Sequence, residues 1–376
     1  MTWYPLLEGA LQQRALDLVA QIVEELPNPG GDWALADGSA ASAVLCAYLG
    51  PQYEGAAKAF LRHAVGCIGS QRTNPSLYGG FTGVAWAVQH VRGLLGAGGP
   101  DQNQQIDAAL ARYLTRSPWD TDYDLISGLV GFGVYALERE NNELLTLVVA
   151  RLAETAEHTP DGITWLSRNT WVDESVRSHH PETSYNLGVA HGVPGVIAFL
   201  GRAVSAGIDV GPLLDGSVRW LLKQKLTGMS ASFAKWLETG RVHEPARSAW
   251  CYGDPGIAGA LLVAARAAGS ADWEAEAVAL AVGVARRPFE QTGVLDAGPC
   301  HGAAGNAHVL NRVYQATGDT ELGEAARAWY ERAITMRSAD GPLEDRGMLG
   351  EVGLALTLLA ATSSVEPRWD RALALS

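Results

Sequence analysis

The sequence predicts an all-α protein, an α/α toroid made of a double ring of seven inner and seven outer helices. Three observations lead there. A phrase of Gly-x-x-Gly followed by an apolar run recurs seven times along the 376 residues. Segments with apolar residues at 3–4 spacing and charges between them separate the phrases, the pattern of helices with one wet face. Consistent β patterning is absent, with few alternating β-branched runs between turn signals.

The first segment, MTWYPLLEGALQQRALDLVAQIVEEL, reads as an amphipathic helix. It has no basic n-region and turns acidic where a signal-peptide cleavage site would fall. A degenerate copy of the phrase follows, DGSAASAVLCAYL at 37–49, with Ala41 at the place of the second glycine. The others are GGFTGVAWAV (79–88), SGLVGFGVYAL (127–137), HGVPGVIAFL (191–200), YGDPGIAGALLVA (252–264), HGAAGNAHVL (301–310) and LGEVGLALTLLA (349–360). From Gly38 to Gly350 there are six intervals averaging about 52 residues, room for two helices and their loops. Each phrase opens a helix that is apolar nearly all round and so belongs inside. The helices between, such as 102–114, 143–158, 270–287 and 320–336, belong to an outer wall. The paired glycines serve tight turns and close packing at the inner-helix starts. They form no phosphate loop, since the Walker lysine and the preceding strand are missing. One domain over residues 1–376 is the expected organisation.

Composition bounds the function classes. With 47% hydrophobic residues, 18% charged and 43 glycines, the chain buries a large core through small residues. A net charge of −13 excludes the basic footprint that nucleic acid requires. No stretch approaches 18 uninterrupted apolar residues, so no membrane span is expected. Four cysteines are too few for a disulfide scaffold, which points to the cytoplasm and reduced thiols.

If the phrases are equivalent, the residues just before each Gly-x-x-Gly share one rim of the ring. Copies one, two and seven offer little there. Copy three has Asp124 in YDLISGLVG, copy four His191 in NLGVAHGVPG, copy five Cys251 in RSAWCYGDPG, and copy six Cys300 and His301 in CHGAAG. Cys251 and Cys300 each lie two residues before the first glycine, which puts the thiols at one height on adjacent helix starts. Two thiols and an imidazole suit zinc with a fourth position open, and helix N-termini favour the ligating thiolate form. Two thiolates largely neutralise the metal, so such a site favours activating a substrate thiol over hydrolysis with metal-bound hydroxide. Cys46, in apolar AVLCAYL, and Cys67, within a helix, are expected in the core.

The ordered set YDLISGLVG, NLGVAHGVPG, WCYGDPG and CHGAAG resembles the lanthionine synthetase C-like family, the cyclases of lanthipeptide biosynthesis. The resemblance covers essentially the whole chain and implies an α/α toroid with one catalytic zinc ion. It implies addition of a peptide cysteine thiol across dehydroalanine or dehydrobutyrine to form a thioether ring. By motif position Cys251, Cys300 and His301 resemble the zinc ligands, and Asp124, His191, Arg247 and Tyr252 the other active-site residues. Conjugate addition needs a thiolate and then a proton for the α-carbon of the enolate. His191 is the natural acid or base for that transfer, Arg247 can stabilise the enolate oxygen, and Asp124 can orient His191 or share in the transfer. From the residues alone Asp124 also reads as a helix cap, Arg247 as a solvated loop charge, and Tyr252 stays undecided. Asp254, before a proline, reads as turn structure.

The long connections 159–187 and 227–249, rich in aromatic and polar residues, are expected to shape a substrate entrance. His179 and His180 in the first of them read as solvated. The chain has no room for a dehydratase, so the expected partners are a dehydrated precursor peptide and a separate dehydrating enzyme. Two alternatives remain at this stage. One is a non-catalytic relative that holds glutathione or a peptide thiol on zinc, against which the His191–Asp124 pair argues. The other is a prenyltransferase-like thiol-alkylating zinc enzyme, disfavoured by the presence of only four lysines for a diphosphate patch.

Overall fold

The computed structural model describes residues 2–168, 182–238 and 241–376. Outer and inner helices alternate along the chain, beginning with an outer one. They are α1 (Gly9–Glu24), α2 (Ser39–Tyr48), α3 (Glu54–Ser70), α4 (Phe81–Leu94), α5 (Gln104–Leu114), α6 (Leu129–Glu138), α7 (Asn142–Thr155), α8 (Val193–Ser205), α9 (Gly211–Lys223), α10 (Asp254–Ala268), α11 (Ala271–Arg286), α12 (Ala303–Thr317), α13 (Thr320–Asp340) and α14 (Glu351–Thr362). Each even-numbered helix packs on the next, and α14 returns to α2, so the inner ring closes. The seven-plus-seven double ring that the repeats predict is the architecture found.

Polarity sorts the two rings. Inner α12 buries every residue from Ala303 to Val313, whereas outer α5 buries only Leu110 and Leu114. A buried Leu of this kind stabilises the fold by roughly 1.5–3 kcal/mol relative to leaving it exposed. Three of the six inner-to-outer connections end in a side-chain cap. Asn141, Ser270 and Asp319 accept hydrogen bonds from the backbone N–H of Leu144, Trp273 and Glu321 at the starts of α7, α11 and α13.

The glycine phrases act through close approach. A Cβ on Gly256 would lie 2.0 Å from the Trp250 carbonyl oxygen, because the incoming loop folds back over the first turn of α10. The same fold-back recurs at the other copies and leaves the rim loops stacked side by side. Backbone hydrogen bonds then sew the rim together from equivalent places: Met348 N to Leu35 O, Ala36 N to Tyr78 O, Tyr78 N to Ile126 O, Leu125 N to Ala190 O, and Cys251 N to Cys300 O. Every one of these residues stands two or three before its copy's first glycine.

Both chain ends help to close the ring. Leu6 N and Leu7 N donate to Ala361 O, and Trp3 Nε1 donates to Ala360 O, tying the N-terminal segment to α14. The C-terminal 3-10 segment Arg368–Leu373 reaches copies two, three, five and six and so fills the hollow. Tyr78 Oη donates to Ala372 O, Trp250 Nε1 to Leu373 O, and Arg371 pairs with Glu138. Fully buried Asp370 receives His308 Nε2 at 2.7 Å and Arg312 Nε at 2.6 Å.

Three small departures from the sequence expectations appear. The helix read over 143–158 ends at Thr155, and Glu157–Thr159 (β1) pairs antiparallel with Gly162–Thr164 (β2). Tyr185–Asn186 (β3) pairs with Trp236–Leu237 (β4), joining the two long rim connections. Strands of two or three residues are too short to show a period in the sequence. Cys46 is buried as expected, but Cys67 is half-buried, with Sγ 3.5 Å from His63 Nε2 one turn earlier on α3, so it is not core. Among the described residues no helix is long and apolar enough to cross a membrane.

Candidate active site

Cys251, Cys300 and His301 come together at the rim, with one ligand atom from each lying within 4.8 Å of the others. Among the described residues no other group of three His, Cys, Asp or Glu does so. The Cys251 N–H bond to Cys300 O, at 3.1 Å, sets the two thiols side by side at the starts of α10 and α12. The two thiols are held unequally. The hydrogen bond from Cys300, with His301 and the nearby Arg247 charge, holds Cys251 far below the usual thiol range despite burial. The same contact with the Cys251 thiolate, and then burial, pushes Cys300 up. His301 is raised to about 9 by Asp296 first and Cys251 second. Two sulfurs and a nitrogen, one sulfur already biased to thiolate, are a donor set that fits zinc.

Arg247, which the sequence left between an active-site cation and a loop charge, points inward. Its Nη2 lies 3.9 Å from Cys251 Sγ. It stands six residues before Gly253, where most other copies carry Asp or Asn: Asp32, Asn74, Asp122, Asn186 and Asp296. Four of those side chains accept a hydrogen bond from the backbone N–H two residues on, the Asx-turn that starts the rim loop. Copy five gives up that turn and has a guanidinium beside the sulfur instead.

The second half of the site is a carboxylate–imidazole pair. His191 Nδ1 meets Asp124 Oδ2 at 2.5 Å, with both side chains largely buried. Asp124 Oδ1 accepts from Ser127 N at 2.7 Å, so the cap-like role and the pairing with His191 coexist in one residue. Tyr252 lies between the two halves. Burial pushes its phenol up, and the charges of Cys251, Asp124 and Cys300 add to the effect. Asn186 Nδ2 donates to Tyr252 Oη at 3.1 Å. The rim loops of copies four and five can touch only because residue 188 is glycine: a Cβ there would lie 2.3 Å from Cys251 O and 2.7 Å from the Tyr252 ring.

All seven residues singled out in the sequence therefore meet on one rim, and two that were not singled out join them. Asn186 holds the Tyr252 hydroxyl, and Asp296 Oδ2 lies 3.1 Å from His301 Nε2. The signal for both was the recurring Asp or Asn six residues before the first glycine. Asp254 proves structural, pairing with Arg287 at 2.9 Å and accepting from Ser232 N and Phe233 N, which pins the 227–249 connection to α10. His179 and His180 lie outside the described residues. Two clefts flank the site. One of about 390 Å³ is lined by Trp119, Tyr123, Asp124, Trp165 and His191, and the other, about 450 Å³, by Asp296, His301, Arg337 and Asp345.

The profile of the family described as "Lanthionine synthetase C-like protein" matches residues 30–374. The Lactococcus lactis subsp. lactis "Nisin biosynthesis protein NisC" is 24% identical over 210 residues, which are 48% of this chain and 49% of that protein. The aligned stretch thus spans about half the length of that relative. The solved structure of "Nisin cyclase" superimposes with a TM-score of 0.78 at 19% identity, covering 98% of each chain. At that identity the likeness carries the fold, a helical toroid.

Proposed function

The chain belongs to the lanthionine synthetase C-like family, and from that premise we propose that it is a zinc-dependent lanthipeptide cyclase. It adds cysteine thiols of a dehydrated peptide across dehydroalanine or dehydrobutyrine, forming lanthionine or methyllanthionine rings. The observation that carries this assignment is the Cys251–Cys300–His301 group, with the Asp124–His191 pair on the same rim.

Cys251, Cys300 and His301 would hold one zinc ion, three protein donors of the kind that suit it. When bound, the zinc would supply an electron-rich centre that takes a peptide thiol as thiolate. The protein's own groups do the rest. Arg247 offsets negative charge beside Cys251 and faces the charge that develops on the acceptor's carbonyl. Sulfur bonds to the β-carbon of the dehydro residue, the double-bond electron pair moves towards the carbonyl, and His191 delivers a proton to the α-carbon. The thiol's own proton leaves to solvent, and His191 regains a proton from solvent. The net change is addition of S–H across C=C, with no further reactant. Asp124 on Nδ1 fixes the His191 tautomer so that transfer runs through Nε2, and the Tyr252 hydroxyl, held by Asn186, fixes the carbonyl end. The two flanking clefts give an extended peptide room on either side of the reacting residues.

The protein acts in the cytoplasm as one toroidal domain over residues 1–376, on a peptide prepared by a separate dehydratase. Metal content is the test. Purified protein is expected to carry about one zinc per chain, and Cys300→Ala to lose it while its circular dichroism stays helical. Full zinc content in both Cys251→Ala and Cys300→Ala would overturn the assignment.

A further inference from the structure

We propose that Asp296 is a positioning residue for the metal centre: by accepting a hydrogen bond from His301 Nε2 it turns Nδ1 towards the two cysteine sulfurs. This rests on the assignment of Cys251, Cys300 and His301 as the zinc ligands.

Three observations carry it. First, Asp296 uses its two carboxylate oxygens on different partners. Oδ1 accepts from Gly298 N at 2.7 Å, the Asx-turn shared with Asp32, Asn74 and Asn186. Oδ2 lies 3.1 Å from His301 Nε2, a contact that the turn does not need. Second, with Nε2 engaged there, Nδ1 is the ring nitrogen left for the sulfurs, and the ligand atoms of His301, Cys251 and Cys300 all lie within 4.8 Å of one another. A histidine that ligates through one nitrogen needs the other protonated and held, and a carboxylate is a strong acceptor for that N–H. Third, Asp296 is itself wedged in place. A Cβ on Gly302 would lie 2.2 Å from its Oδ1, so the first turn of α12 closes over the carboxylate. Asp296 is therefore built into the same turn that starts the helix carrying Cys300 and His301.

Copies two and four provide the control, because each carries Asn at this place and still makes the turn. Asp296→Asn is thus expected to keep the fold. Its amide oxygen serves Gly298 N, and its amide nitrogen, a donor, faces His301 Nε2. Two donors cannot share a hydrogen bond, so the ring is driven to the tautomer with the proton on Nδ1, which cannot ligate.

The experiment is zinc competition against a chromogenic chelator at fixed pH, on parent, Asp296→Asn and Cys300→Ala, with circular dichroism as the folding check. Asp296→Asn should bind zinc about 10–100-fold more weakly than the parent, the usual effect of losing such a partner. A second readout needs no variant: ¹⁵N shifts of the zinc-loaded parent should show His301 protonated at Nε2 and unprotonated at Nδ1. The inference is overturned by Asp296→Asn binding zinc within threefold of the parent while Cys300→Ala loses it, or by a proton on Nδ1 in the loaded parent. If Cys300→Ala also keeps its zinc, it is the ligand assignment that has failed.

Discussion

His191 and Asp124 are predicted to work as one unit, and a double-mutant cycle measures it. The perturbations are His191→Asn, Asp124→Asn and both together. Removing the imidazole takes away the proton donor, which should slow cyclisation about 10²–10⁴-fold, the span of a positioned general acid or base. The cost of Asp124→Asn follows from its contacts. The Asn oxygen keeps the 2.7 Å bond from Ser127 N, which leaves the amide nitrogen towards His191 Nδ1 where a carboxylate oxygen stood at 2.5 Å. A charged hydrogen bond worth roughly 1.5–3 kcal/mol is lost, about 10–150-fold in rate. With His191 already gone, Asp124 has nothing to orient, so the double variant should match His191→Asn within about threefold. Ring closure leaves peptide mass unchanged, so the assay counts remaining cysteine thiols by alkylation and mass spectrometry, with zinc content and circular dichroism measured on each variant. If Asp124→Asn costs the same factor with and without His191, the two act separately and the orienting role is refuted. If His191→Asn loses its zinc, the histidine is a ligand and the proton assignment is wrong.

With cobalt in place of zinc, a small thiol should bind with release of a proton and strengthen the sulfur-to-metal charge-transfer band; an unchanged spectrum at saturating thiol would mean a closed, structural site. Arg312 and His308 overcome the penalty of burying Asp370 and hold its carboxyl down, from 3.8 to about 2. Because this folded-state value is depressed, the stabilisation is present above the unfolded value and is lost as pH falls through the folded one. The drop from 3.8 corresponds to about 2 kcal/mol, so the stability gap between parent and Asp370→Asn in urea unfolding should narrow by about that much from pH 6 to pH 2. A gap independent of pH would contradict the pairing.

Much of the site was legible in the sequence because its repeats are local and in phase. Glycine spacing and helical period are properties of a few consecutive residues, and they sufficed for fourteen helices, their sorting into two rings and the common height of Cys251 and Cys300. The Asp or Asn six residues before most of the first glycines was equally present. Its break at Arg247 and its second use at Asp296 have meaning only beside a neighbouring loop. Hydrogen bonds between residues distant in sequence depend on how the ring curves, as between His191 and Asp124 or between Trp250 and Leu373. The sequence pattern likewise carried no sign of the C-terminal segment filling the hollow or of Tyr185–Asn186 pairing with Trp236–Leu237. A repeat specifies where each side chain stands within its own copy. Closure of the ring, through packing of α14 on α2, decides which copies face one another and hence which side chains can touch.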